Sequence, residues 1–211
     1  MEKAVIFREV KKYYPLYHHI TGGFKLFLIN LPKALSQLKE SRYFALQDVS
    51  FEVNKGEVFG IMGANGTGKS TILALIAGVM RPSGGTIEVH GQVAPLLELG
   101  AGFHPDLTGR ENAVLNGILL GLTKKEITAK LESVLDFAEL GQFIDQPVRT
   151  YSSGMLARLG FSVAINTNPE LLLVDEILAV GDENFQNKCF AKMRQFKQQG
   201  VQSFWSPIIG W

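Results

Sequence analysis

The sequence predicts an α/β fold, in which a core sheet built around a phosphate-binding loop carries an antiparallel β subdomain and a helical subdomain. Three observations predict it. The apolar run Glu57–Met62, read as a buried strand, passes through Gly63-Ala64-Asn65-Gly66-Thr67-Gly68-Lys69-Ser70 into the helical pattern Thr71–Ala77. That is the strand, loop and helix order that the pattern G-x-x-x-x-G-K-[ST] requires. Two stretches, residues 4–10 and 45–53, read as strands of a hairpin-type sheet. Between residues 105 and 150, two capping boxes open helical patterns.

Length and composition bound what the chain can be. With 211 residues it suits one domain, or one domain carrying a subdomain, and can bury a substantial core. A net charge of +1 gives no electrostatic case for a nucleic-acid partner. One cysteine, Cys189, excludes an internal disulfide, fits a reducing compartment, and reads as a packed small residue. The first apolar run is too short for a signal peptide, and no stretch reaches the roughly 18 apolar residues of a membrane span. The expectation is a cytosolic protein that meets a membrane, if at all, from one side.

Along the chain, the strand at 4–10 leads into the aromatic cluster Tyr13-Tyr14-Pro15-Leu16-Tyr17. An insert at 24–42 follows, with a helix expected from about Leu31 to Arg42 because Pro32 suits a first helical turn. Its apolar stripe, flanked by Lys25, Lys33, Lys39 and Arg42, is either a face docked on its own domain or an amphipathic element facing a membrane surface or membrane protein. The 45–53 strand turns at Asn54-Lys55-Gly56. In the loop that comes next, glycines let successive N–H groups point at anionic oxygens, and the following helix adds its positive end. Lys69 is placed to reach β- and γ-phosphates and the Ser70 hydroxyl to ligate Mg²⁺.

Residues 84–89 read as a turn and strand, and Pro95–Phe103 as a mobile loop. The capping boxes pair Thr108 with Glu111 and Thr123 with Glu126, and their helices are expected to stop at Gly121 and Gly141. Ser152 or Ser153 can cap the helical run 156–165, which Asn168-Pro169 ends, and a helix start of this kind is also an anion site. Leu171–Val174 is an apolar strand followed by two carboxylates, Asp175 and Glu176, which strand geometry sends to opposite sides. One can face a metal ion and the other a water at the γ-phosphate.

Taken in order, the phosphate loop, helical segment, serine–glycine segment and strand with Asp-Glu resemble the nucleotide-binding domain of ABC transporters over residues 1 to about 200. The runs Leu97–Pro105, Thr108–Asn112, Tyr151–Met155 and Asp175–Asp182, with the 24–42 insert, are similar to the branch that exports bacterial surface polysaccharides such as O-antigen, capsule or teichoic acid. The resemblance implies a RecA-like core with ATP held by Gly63, Asn65, Gly66, Thr67, Gly68, Lys69, Ser70 and Thr71, and Tyr14, or failing it Tyr13, stacked on the adenine. Catalysis would fall to Lys69 and Glu176, and Mg²⁺ to Ser70 and Asp175. Ser152, Ser153 and Gly154 would act as a signature on the opposite subunit of a homodimer, and Glu98 and Asp182 would lie in coupling loops. A membrane permease is the implied partner, with the chain peripheral on the cytoplasmic face of the bacterial inner membrane.

Against the family pattern, Ser153 and Met155 replace a glycine and a glutamine, no glutamine stands where the family's glutamine loop is expected and Glu98 is the nearest polar candidate, and no histidine follows His104. Read one frame over from the third base of the Gln202 codon, the codons allow an apolar strand ending in Ser-His. The expectation drawn from this is a frameshifted tail over 201–211, a core sheet lacking one strand, and ATP bound but poorly hydrolysed; the other reading is a family member with an unusual end. A soluble, non-transport ATPase of the same superfamily is the alternative function.

Overall fold

The computed structural model describes residues 2–15, 42–96, 99–100, 102–174 and 182–205. The 24–42 insert up to Ser41, Glu98, Asp175, Glu176 and residues 206–211 lie outside the described residues. In chain order the elements are β1 (Lys3–Pro15), β2 (Arg42–Asn54), β3 (Val58–Gly60), α1 (Lys69–Ile76), β4 (Gly84–Val89), β5 (Val93–Leu96), α2 (Gly109–Leu119), α3 (Lys124–Ala138), α4 (Ser153–Ile165), β6 (Leu171–Val174), α5 (Glu183–Gln198) and β7 (Gln202–Trp205). They form an antiparallel sheet in the order β2-β1-β4 and a parallel sheet in the order β3-β7-β6-β5.

Packing follows from strand alternation. β6 is apolar at every position because both of its faces are covered. Leu171 and Leu173 join Val5, Phe7 and Val53 of the antiparallel sheet and Leu73 and Ile76 of α1 in one cluster. On the opposite face, Leu172 and Val174 meet Phe161 and Ile165 of α4 and Phe185, Cys189, Met193 and Phe196 of α5. A third cluster binds the helical subdomain, with Ala113, Ile127, Val134 and Ile144 against Leu159 and Val163 of α4. α4 therefore serves two cores at once.

Several expectations are corrected. The first strand continues to Pro15 because its pairing with β2 persists through irregular register to Arg42. The run 57–62 is not a buried strand: β3 is three residues at a sheet edge, with Val58 48% exposed. Pro95 does not open a loop but sits in edge strand β5, where a missing N–H is tolerated. The first boxed helix stops before Gly121 as expected, but α3 ends at Ala138 rather than at Gly141, because its cap Glu139 turns into the left-handed region at φ 51°. Ser152 caps α4, which stops at Ile165, ahead of Asn168-Pro169.

The parallel sheet does not lack a strand. Gln202–Trp205 runs between β3 and β6, with Leu171 opposite Gln202 and Val58 opposite Ser203. Ladder bonds come from the main chain, so a four-residue stretch between two neighbours pairs on both sides whatever its side chains are. Helix α5, not expected from the sequence, connects β6's sheet position to β7.

Candidate nucleotide-binding site

Helix α1 starts at Lys69 directly behind Gly68, at φ 95°, with no side-chain cap, so its first N–H groups face the loop. A Cβ on Gly68 would lie 2.7 Å from the Ala45 carbonyl and 2.8 Å from Leu46 Cδ2. Only glycine lets the loop sit this close on the backbone of β2. Thr67 Oγ1 donates to the Ala64 carbonyl at 2.8 Å and bridges the loop from inside. The Lys69 side chain folds into the ring: Nζ donates to the carbonyls of Gly63 at 2.9 Å and Ala64 at 3.1 Å, and the residue is 8% exposed. Among the described residues, this buried cation has carbonyl rather than carboxylate partners. A site of that composition fits an incoming anion.

Beside the loop is a cleft of about 390 Å³ lined by Tyr14, Tyr43, Ala45, Asn65, Gly66, Gly68, Lys69, Ser70 and Thr71. Its wall comes from the antiparallel sheet and its floor from the loop. Tyr14 lies in the lining, with its hydroxyl on Met80 Sδ at 3.2 Å. Tyr13 points to the other face of the strand, against Phe44 and under the Arg42 guanidinium at 4.3 Å. Gly63 and Thr67 shape the loop without lining the cleft.

Sequence reasoning missed Tyr43. It stands directly opposite Tyr14 in the strand register, and its hydroxyl donates to the Gly66 carbonyl at 3.2 Å. The available signal was an aromatic at the start of the second strand, which cross-strand pairing brings beside Tyr14.

The other expected site residues lie elsewhere. The Ser152 hydroxyl accepts from the Met155 N–H at 3.2 Å, and Ser153 and Gly154 form the first turn of α4, away from this chain's own cleft. Asp182 caps α5: Oδ1 accepts from the Phe185 N–H at 2.9 Å, and Oδ2 pairs with Arg158 Nη1 at 3.3 Å. Gly160 of α4 packs on the segment just after Glu98, where a Cβ would come within 2.6 Å of the Gly100 nitrogen. Cys189 is buried in the second cluster, and burial pushes its thiol up to about 12, which keeps it protonated and inert. Among the described residues, no helix is long and apolar enough to cross a membrane.

Comparison with known proteins agrees with this geometry. The O-antigen export system ATP-binding protein RfbB of Klebsiella pneumoniae is 53% identical over 201 residues, 95% of this chain and 82% of that protein. The teichoic acids export ATP-binding protein TagH of Bacillus cereus is 44% identical over 206 residues, covering 97% of this chain but 36% of its own length. A dimeric structure of the ATP-binding cassette MJ0796 bound to ADP and Pi superposes with a TM-score of 0.75 over 97% of this chain and 88% of that one, at 20% identity, a likeness of fold. The family model described as ABC transporter matches residues 46–179, and with that span and those relatives the chain belongs to the ABC transporter family.

Proposed function

We propose that the chain is the ATP-binding and ATP-hydrolysing subunit of an exporter that drives a lipid-linked polysaccharide across the cytoplasmic membrane. The observation that carries it is 53% identity with an O-antigen export ATP-binding protein across 95% of the chain, joined to a formed phosphate loop beside an aromatic-walled cleft. It works as a homodimer docked on a membrane permease from the cytoplasmic side. The polysaccharide is chosen by its partners, since the cleft is built for a nucleotide.

Each residue has a task in this reading. Tyr14 offers its ring face to the base, while Tyr43 holds Gly66 so that the loop keeps its shape. Lys69 exchanges the Gly63 and Ala64 carbonyls for β- and γ-phosphate oxygens, a trade of neutral for charged partners that strengthens its hydrogen bonds. Asn65, Gly66, Gly68 and Thr71 border the phosphates from the loop and the helix start. Ser70 and Asp175 would hold Mg²⁺, which would neutralise phosphate charge there. Glu176 orients the attacking water, and Ser152, Ser153 and Gly154 of the second copy close over the γ-phosphate.

Steady-state hydrolysis by the purified chain, with Glu176→Gln as reference, tests the proposal. Turnover well above that variant, about 10²-fold or more for loss of a water-activating group, is expected. Equal rates would refute hydrolysis as this chain's role, and a rate unchanged by the permease in reconstituted membranes would refute the exporter assignment.

A further inference from the structure

A single guanidinium on α4 holds three elements together. Arg158 lies one turn beyond Gly154, with a side chain 17% exposed. Its Nε donates to the Ala138 carbonyl at 2.9 Å, and its Nη2 to the Glu139 carbonyl at 3.4 Å and to Glu139 Oε2 at 3.1 Å. Its Nη1 reaches Asp182 Oδ2 at 3.3 Å, and the guanidinium covers the Phe185 ring at 4.8 Å. Helix α3 has no basic residue in its own last turn, so cations from other elements meet its unpaired carbonyls and negative dipole end. Lys188 of α5 is the second such cation, donating to the Phe137 carbonyl at 3.1 Å and to Glu139 Oε1 at 2.6 Å. Both cations serve the end of α3, but only Arg158 also reaches Asp182.

We propose that Arg158 is a positioning residue that fixes the Ser152–Gly154 segment and Asp182 as one unit, so that both meet a second copy of the chain in the correct relative place. The proposal rests on the reading that these two segments face the opposite subunit of a homodimer. Asp182 divides its oxygens between the α5 N–H of Phe185 and Arg158, so the start of α5 is referenced to α4 through one side chain. A lysine cannot do this: its point charge replaces a planar fork that spans Ala138, Glu139 and Asp182. The phosphate loop is not part of the contact, so nucleotide affinity of the single chain is separable from pairing.

The test uses the 211-residue chain carrying Glu176→Gln, with ATP-dependent dimerisation followed by analytical ultracentrifugation and ATP affinity measured below the dimerising concentration. Arg158→Lys is expected to leave ATP affinity within about twofold while weakening the dimer about tenfold, the scale of a coupling between contacting residues. Asp182→Asn, which keeps the capping oxygen, is expected to weaken it similarly and to add little to Arg158→Lys. Lys188→Ala, which strips the same end of α3 without touching Asp182, is expected to pair like the parent. Pairing of Arg158→Lys equal to the parent, or equal loss in Lys188→Ala, overturns the proposal in favour of a scaffold role. Should Arg158→Lys not fold, Asp182→Asn decides: parent-like pairing overturns the proposal. A Glu176→Gln parent that stays monomeric in ATP overturns the homodimer reading, and the proposal with it.

Discussion

Asn112 shows what one side chain can organise. It is 0% exposed, accepts from the His104 N–H at 2.7 Å, and donates to the carbonyls of His104, Leu107 and Thr108 at 3.0 Å each. Removing it leaves the His104 N–H without this acceptor and takes a second donor from the His104, Leu107 and Thr108 carbonyls, which keep main-chain partners, a loss of about 1–3 kcal/mol. Asn112→Ala should lower the urea unfolding free energy by that amount, and a change under about 0.5 kcal/mol, the scale of ordinary surface substitutions, would contradict the geometry. Residues of this kind were hard to read in advance. The phosphate loop was legible because eight positions repeat a pattern with a mechanical reason, but Asn112 and Tyr43 act through neighbours 4 to 23 residues away in sequence. Nothing local marks such partners.

At the scale of elements, the signals that survived were those written in the backbone's own chemistry. Both capping boxes formed as the sequence requires, Thr108 with Glu111 and Thr123 with Glu126. Hydrogen bonds from the main chain and hydroxyl of Thr108 hold the Glu111 carboxyl below its usual range, and those from Thr123 do the same for Glu126. A depressed folded pKa adds stability that is fully present above the ordinary value of 4.5 and is lost as pH falls through the folded value. The helical subdomain should therefore loosen in acid below about pH 4.5. The double variant Glu111→Gln, Glu126→Gln keeps an acceptor without a titrating group and should flatten that dependence when hydrogen exchange is measured from pH 5 downward. Identical profiles would remove the boxes as the cause. Helix α5 escaped notice although Phe185, Cys189, Met193 and Phe196 lie at helical spacing, because polar residues dominate the segment between them.

At the scale of the molecule, the parallel sheet has two apolar faces that serve different tasks, one joining the antiparallel sheet and α1, the other joining α4 and α5. Leu172→Ala and Leu173→Ala remove one side chain from each face, and each should cost about 2–5 kcal/mol in chemical denaturation. A loss below 1 kcal/mol at either would mean that face is not a core. The continuous apolar run of β6 announced this burial in the sequence. The slot of β7 did not, because it is defined by two neighbours more than a hundred and about thirty residues away rather than by Gln202–Trp205. One contact between these layers has mechanical meaning. With no side chain between the backbones of Gly160 and Gly100, the joint has no slack. A displacement of the segment after Glu98 toward α4 would press on the helix backbone directly, as between two gear teeth cut without backlash.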